Sequence, residues 1–449
     1  MKARLKPQVY IRHVGDESVV VSPRTGGCTV LKDARSILEK FISDWCWTEE
    51  IARTVAKECG CGHEDVAEGV YAILGELESQ GFAEREGWQE HIPCDFAAAN
   101  QSVQDQEAAT RSDDSPLGDF YMRHNLPAEL HMDLTDRCNE ACVHCYIPKG
   151  GGMTMPTELA LKVLREFREM EGLSVYFSGG ECMLHPDFAV ILREAKRLGL
   201  NIIVMSNLTL CDASMVELLK EIDPQFVNVS LYSMKAGEHD AITQVSGSWA
   251  KTMTAIRSLK DAGVHVRLAT PILRQNKSAV EELQKFAAEM KMHDVIECDI
   301  IGRTNHDCSN QCHALDLNEA EEVIRRYRQS FCHEKLDALR CEAEARVCEV
   351  GDFKLNVNAH GDYYPCDGGH GLFLGNAAVD TLSDVWRGEK LNTLRRLKNR
   401  DFPKCVGCAD RPWCKVCVMR NFNETGDMFS PAPARCALTA IHRKVWEER

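Results

Sequence analysis

Apolar positions along the chain change their period at several points, and each change marks a predicted element. Residues 8–14 are rich in β-branched and aromatic side chains and read as a strand. A turn at Gly15-Asp16-Glu17 and a second strand at 18–21 make a hairpin. Residues 28–31, after Gly26-Gly27, read as a third strand. Three helical patterns follow. Leu31, Ala34, Leu38 and Phe41 share a face of the first. Ile51, Ala52 and Val55 mark the second, with Thr48 as its N-cap. Val66, Val70, Ile73, Leu74 and Leu77 mark the third, which ends at Gly81. Phe41, Trp45 and Trp47 are expected in the core of this three-strand, three-helix unit. From about residue 97 to 116 periodicity disappears into Ala, Ser, Gln and Asp, which reads as a linker.

From residue 129 strands and helices alternate. Strands are expected at 129–134, 174–177, 201–205, 226–231, 264–269 and 295–301, with helices between them, as at 159–169 and 216–221. Six β–α units predict an α/β fold with a parallel sheet, a partial (β/α)6 TIM-like barrel, and chemistry at the C-terminal ends of the strands. Beyond residue 317 a helix leads into a Cys- and Gly-rich tail with few periodic segments. Such a tail needs metal clusters or an equivalent to hold it.

Composition sharpens this picture at two points. The net charge is −15 over 449 residues, which disfavours non-specific nucleic-acid binding. The chain carries 22 cysteines, without an apolar N-terminal run of the secretory kind or a membrane-spanning run. A cytoplasmic, reducing setting is therefore expected, where cysteines serve metals or catalysis rather than disulfides.

The spacing Cys138-x3-Cys142-x2-Cys145 follows the first strand of the alternating region. Three thiolates in one loop can hold three irons of a 4Fe–4S cluster and leave the fourth open, whereas a closed zinc site needs a fourth protein ligand. Gly179-Gly180-Glu181 ends the second strand; its glycines allow close backbone approach to a ligand and its Glu offers a carboxylate to a cationic group. Together these motifs resemble the radical S-adenosylmethionine (SAM) enzymes over roughly residues 128–310. The resemblance implies that Cys138, Cys142 and Cys145 bind the cluster whose open iron chelates SAM. Reductive cleavage of SAM then yields a 5′-deoxyadenosyl radical that takes a hydrogen from the substrate. His144 stands where the family has an aromatic near the adenine. Gly179, Gly180 and Glu181 match the segment at the methionine amino group. Ser206 and Ser230 stand where ribose or carboxylate contacts are expected. Two departures are Ser206-Asn207-Leu208 in place of Thr-Asn-Gly, and Thr243 where relatives often have an Arg.

In the tail, Cys348-x12-Gly361-x4-Cys366 is followed by Cys405-x2-Cys408-x5-Cys414-x2-Cys417 and Cys436. Read alone, the paired C-x2-C units also fit zinc ribbons. Beside the preceding motifs they resemble the SPASM extension with two auxiliary 4Fe–4S clusters. The resemblance implies Cys341, Cys348, Cys366 and Cys417 at the first and Cys405, Cys408, Cys414 and Cys436 at the second. The gap between Cys414 and Cys417 is one residue shorter than usual. Asp367, directly after Cys366, matches a carboxylate that takes a substrate proton in sulfatase-maturing relatives; alternatively it begins a turn at Asp367-Gly368-Gly369.

The N-terminal unit resembles, by pattern and order, the PqqD-like winged-helix-like domains that bind leader peptides. The strand at 28–31 would pair with an extended leader beside the third helix. The domains expected are therefore leader recognition (1–90), linker (91–125), radical SAM partial barrel (126–315), and bridging helix with SPASM domain (316–449). The implied function is maturation of a short precursor peptide by an intramolecular thioether or carbon–carbon cross-link. A low-potential donor, flavodoxin or ferredoxin, would supply the electron. Peptide epimerisation, sulfatase-type side-chain maturation and an iron–sulfur peptide-binding or redox protein are the alternatives.

Overall fold

The structure, a computed structural model, describes all residues except 42–43, 87–114, 149–151, 329–334 and 449. The chain divides into two compact units. One comprises residues 1–128 with 168–173 and 199–201; the other comprises the remainder.

The first unit holds β1 (Lys2–Leu5), β2 (Tyr10–Val14), β3 (Glu17–Ser22), β4 (Gly27–Lys32), α1 (Arg35–Leu38), β5 (Cys46–Trp47), α2 (Thr48–Cys59), α3 (His63–Ser79), β6 (Ala83–Arg85) and α4 (Pro116–His124). The hairpin and third strand form as expected, as the antiparallel sheet β2-β3-β4. A second sheet, β5-β1-β6, was not anticipated. Its strands have two to four residues, too few to show a period, and they pair residues about 45 and 80 positions apart, such as Ala3 with Cys46 and Arg85. Val70, Leu74, Leu77 and Phe82 are fully buried in the core.

Three local expectations change. Thr48 is the first residue of α2, with Trp47 as N-cap, and its hydroxyl donates to the Met1 carbonyl (3.1 Å). Phe41 is buried, but Trp45 and Trp47 are 41% and 50% exposed. The short β1 presents Arg4 and Lys2 over their rings, at 4.6 and 5.0 Å, and these stems cover the indoles only in part. The expected linker 91–125 contains α4. Ser115 caps this helix by accepting from Gly118 N (2.9 Å), Pro116 opens it, and Leu117, Phe120 and Tyr121 are buried. Residues 91–114 of the linker lie outside the described residues.

The second unit is built on a nine-stranded sheet. β7 (Glu129–Asp133), β8 (Ser174–Ser178), β9 (Asn201–Ser206), β10 (Phe226–Ser230), β11 (Val266–Pro271) and β12 (His293–Glu297) are neighbours in sequence order. The crossovers between them carry helices, among them α5 (Thr157–Glu169), α6 (Phe188–Arg197), α7 (Ala213–Ile222), α8 (Ala236–Thr243), α9 (Ser248–Asp261) and α10 (Val280–Glu289). The strands read as near-continuous apolar runs, for example Ile202, Ile203 and Val204, because helices cover the sheet. On the other edge of β7 the tail continues the sheet: β13 (Lys354–Val357) runs parallel to β7, and β14 (Asp362–Tyr364) and β15 (Gly375–Asn376) follow antiparallel. The Cys-rich tail is therefore anchored by backbone pairing as well as by its own core. A helix at Leu317–Arg326, α11, opens with an Asp316/Glu319 capping box. Val323 and Ile324 on it share an apolar cluster with Leu438, Ile441 and Val445 of α12 (Pro433–Glu447). No helix among the described residues is long and apolar enough to cross a membrane.

Candidate active site

Cys138, Cys142 and Cys145 lie together in the loop that leaves β7. Backbone hydrogen bonds hold this loop at both ends: Asp136 N to Met153 O (2.9 Å), Ala141 N to Thr243 O (2.9 Å) and Val143 N to Ile242 O (3.0 Å). Thr243 is thus fully buried at the end of α8 and gives the cysteine loop its carbonyl, while its hydroxyl pairs with Ser248 (2.8 Å). Burial pushes Cys142 well above the usual thiol range, and Cys145 is near enough to add to the rise at both Cys138 and Cys142. Bound metal takes such groups as thiolates and releases their protons.

The Gly-Gly-Glu segment packs directly on this loop. Gly180 N donates to Thr135 O (2.7 Å) and Glu181 N to Arg137 O (2.9 Å). A Cβ at Gly179 would lie 2.3 Å from Thr135 O, and one at Gly180 2.4 Å from Arg137 O. Gly179 also has φ +127°, where other residues are strained. The glycines are therefore required first by the contact between two strand-end loops.

Glu181 is 1% exposed and its carboxylate is met by protein donors. Oε1 accepts from Ser206 Oγ (2.8 Å) and Met183 N (3.1 Å), and Oε2 accepts from Asn207 N (2.8 Å). Burial raises its pKa, opposed by these bonds. The carboxylate thus locks the end of β8 to the end of β9. Ser206 also accepts from Leu208 N (2.9 Å), so its hydroxyl is satisfied within the protein. Asn207, part of the departure from Thr-Asn-Gly, reaches Asn139 of the cysteine loop (3.0 Å). Ser230 ends β10 and pairs with the hydroxyl of Tyr232.

Sequence reasoning missed Tyr232 and Glu140, which lie against Cys142. The Tyr232 hydroxyl is 3.6 Å and Glu140 Oε2 3.4 Å from its sulfur, and burial raises Glu140 to about 7. His144 stands edge-on to Tyr232 (5.1 Å), and its buried Nδ1 has no hydrogen-bond partner. Burial lowers this imidazole to about 4, so it stays neutral.

In the tail the thiols fall into two groups. Cys348, Cys366 and Cys417 influence one another electrostatically, and burial pushes Cys348 to about 11 and Cys366 to about 12. Cys405, Cys408, Cys414 and Cys436 form the second group. Cys341 instead directs its thiol to the Arg411 carbonyl (4.0 Å). Among the described residues no three His, Cys, Asp or Glu side chains converge as tightly as a single metal ion requires. The cysteine groups are looser than that and offer sulfur donors only.

Asp367 sits in an ionic chain that its sequence position did not reveal. One oxygen accepts from His131 Nδ1 (3.1 Å) and Asn356 Nδ2 (2.6 Å), the other from Lys354 Nζ (2.9 Å). His131 Nε2 lies 3.5 Å from Asp133, whose other oxygen accepts from Tyr364 (2.6 Å) and faces His370 Nε2 (3.4 Å). Burial alone would lower His131, but Asp367 and Asp133 raise it to about 9. Asp133 is held below the usual carboxylate range, its imidazole partners outweighing burial. A cavity of about 260 Å³ opens beside this chain, its wall including Asp133, Asp136, Gly179, His360 and His370. β7 supplied the signal: Glu129, His131 and Asp133 alternate as ionisable residues with Leu130 and Met132 in a parallel strand.

Comparison with known proteins places this site in context. The model of the radical SAM superfamily matches residues 132–287, and that of the SPASM iron–sulfur cluster-binding domain matches residues 348–409. The antilisterial bacteriocin subtilosin biosynthesis protein AlbA of Bacillus subtilis is 24% identical, over 68% of this chain and 73% of its own length. PqqA peptide cyclase of Granulibacter bethesdensis is 25% identical, over 72% and 90%. An AdoMet-dependent heme synthase of Methanosarcina barkeri is 23% identical, over 69% and 96%. The structure of Streptococcus suis SuiB bound to precursor peptide SuiA superposes with a TM-score of 0.61 at 16% identity, over 97% of this chain and 99% of that one. That likeness shows a shared fold. The two domains carry SAM and iron–sulfur chemistry, including the pair of auxiliary clusters usual for SPASM.

Proposed function

The chain is an enzyme with a radical SAM domain and a SPASM domain, and on that premise we propose that it matures a ribosomally made precursor peptide by an intramolecular cross-link, as thioether or carbon–carbon bond. The observation that carries this reading is the extent of the likeness to the peptide-bound SuiB structure. It spans 97% of the chain and so takes in the N-terminal unit as well as the radical SAM and SPASM domains. Within that unit β4 is a sheet-edge strand, and Thr29 on it touches Glu76 of α3 (3.5 Å). A leader lying along β4 would gain backbone hydrogen bonds, with α3 alongside. Residues 1–90 are accordingly read as leader recognition, 91–125 as linker, 126–315 as the radical SAM domain and 316–449 as the SPASM domain.

The residues fit the cofactors. Cys138, Cys142 and Cys145 would hold the SAM-binding cluster. Cys348, Cys366 and Cys417 would hold one auxiliary cluster, with Cys341, whose thiol here turns to the Arg411 carbonyl, as the proposed fourth ligand; Cys405, Cys408, Cys414 and Cys436 would hold the other. Bound SAM, cleaved by an electron from a flavodoxin or ferredoxin, supplies the carbon radical that takes a substrate hydrogen. The chain's own residues orient it. Gly179 and Gly180 let the two strand-end loops pack together, Glu181 fixes the ends of β8 and β9, and His144 presents a neutral ring. Ser206 and Ser230 keep ribose or carboxylate contact as their proposed role.

A second reading follows from the heme synthase relative, whose 23% identity is close to the 24% and 25% of the peptide-modifying ones. Reductant-driven 5′-deoxyadenosine formation separates the two. Stimulation by leader-bearing peptides supports peptide maturation. Stimulation by porphyrins alone refutes it.

A further inference from the structure

Asp367 was the sequence-derived proton acceptor, yet its two oxygens are engaged by His131, Asn356 and Lys354. The titratable groups on the cavity wall are Asp133, Asp136, His360 and His370, beside Gly179; Asp136 and the half-exposed His360 pair with each other (3.0 Å), which leaves Asp133 and His370. Asp133 is nearly fully buried at the end of β7. Its Oδ2 takes the Tyr364 hydroxyl (2.6 Å) and faces Nε2 of His370 (3.4 Å). The His370 ring also stacks on Tyr364 at 4.2 Å. Two contacts thus fix this imidazole, and the carboxylate selects the tautomer with hydrogen on Nε2. Nδ1 is left as a buried acceptor without a hydrogen-bond partner. Carboxylate, imidazole and free ring nitrogen together make an oriented base.

We propose that His370 Nδ1 accepts the proton released when the cross-link closes, with Asp133 orienting it and Asp367 acting only through His131 as a positioning residue. This rests on the peptide-maturase reading. In the step, a substrate carbon radical in the cavity bonds to a heteroatom or aryl carbon of a second side chain. The hydrogen on that atom leaves as a proton to His370 Nδ1. The remaining electron leaves to an iron–sulfur acceptor, so the peptide loses two hydrogens in all. His370 then returns its proton to solvent as the product leaves.

His370→Gln, Asp367→Asn and wild-type holoenzyme are compared for peptide affinity by fluorescence anisotropy, for 5′-deoxyadenosine and for cross-linked product. His370→Gln is expected to keep peptide affinity within twofold and to keep forming 5′-deoxyadenosine, while product falls by about 10²-fold or more. The ratio of 5′-deoxyadenosine to product therefore rises steeply. Asp367→Asn is expected to lower product by a smaller factor. Product at the wild-type level in His370→Gln overturns the assignment and leaves the maturase reading standing. Loss of peptide binding or of 5′-deoxyadenosine in that variant overturns it too, because His370 would then be structural. Peptide-independent wild-type turnover without product removes the maturase reading and this inference with it.

Discussion

Glu181→Gln separates two roles for the Gly-Gly-Glu carboxylate. Sequence matching places it at the methionine amino group of SAM; the structure surrounds it with Ser206, Met183 and Asn207 donors. A Gln side chain keeps one acceptor oxygen and replaces the other by an amide that donates. In one orientation that amide opposes Asn207 N–H, in the other Met183 N–H. Either way a buried charge-assisted bond is lost and a backbone donor goes unpaired. A lost bond to a charged group is worth about 1.5–3 kcal/mol and an unpaired donor about 1–3 kcal/mol. The two are coupled, so the expected net loss is about 2–4 kcal/mol. At about 2–3 °C per kcal/mol for a large domain, Tm falls by roughly 4–12 °C. The assay is thermal unfolding followed by circular dichroism, with and without SAM. The loss is expected in both conditions. An unchanged Tm without SAM, coupled to lost SAM affinity, would refute the reasoning and return the carboxylate to the ligand.

Four further outcomes are expected. His131 is raised from 6.5 to about 9 once its carboxylate partners overcome burial. Its contribution, on the order of 3 kcal/mol, is full below pH 6.5 and lost as pH rises through about 9; urea unfolding of His131→Gln should lack that slope. Gly180→Ala drives a Cβ to 2.4 Å from the Arg137 carbonyl. Iron analysis should show a loss of about four of twelve irons per chain, and full iron content would contradict the loop-packing argument. Cys142→Ala should abolish 5′-deoxyadenosine formation, and retained turnover would remove it from the ligand set. Removing residues 1–128 should weaken leader binding at least tenfold by anisotropy, and an equal Kd would end the recognition role of that unit.

Much of the fold was legible because its signals are local. The βα alternation has long apolar strands such as Phe226–Ser230, and the hairpin at Tyr10–Ser22 has a clear turn. The cysteine loop and Gly-Gly-Glu were legible because spacing within a few residues encodes them. What escaped depends on distant pairing. The sheet β5-β1-β6 joins pieces of two to four residues, and β13 beside β7 brings His131 to Asp367 from across the chain. Trp45 and Trp47 were assigned to the core on hydrophobicity, but strand geometry turned them outward beside Lys2 and Arg4. Asp367 was found by its neighbour Cys366. His131, which holds one of its oxygens, lies on β7, and no local pattern connects it to Asp367.

The most direct measurement is mass spectrometry of a leader-bearing precursor peptide after anaerobic incubation with the reconstituted enzyme, SAM and reductant. The account predicts loss of two hydrogens, with fragmentation blocked between the two joined residues. An unchanged mass with 5′-deoxyadenosine formed, and deuterium taken up from solvent at a backbone carbon, would contradict cross-linking and identify an epimerase.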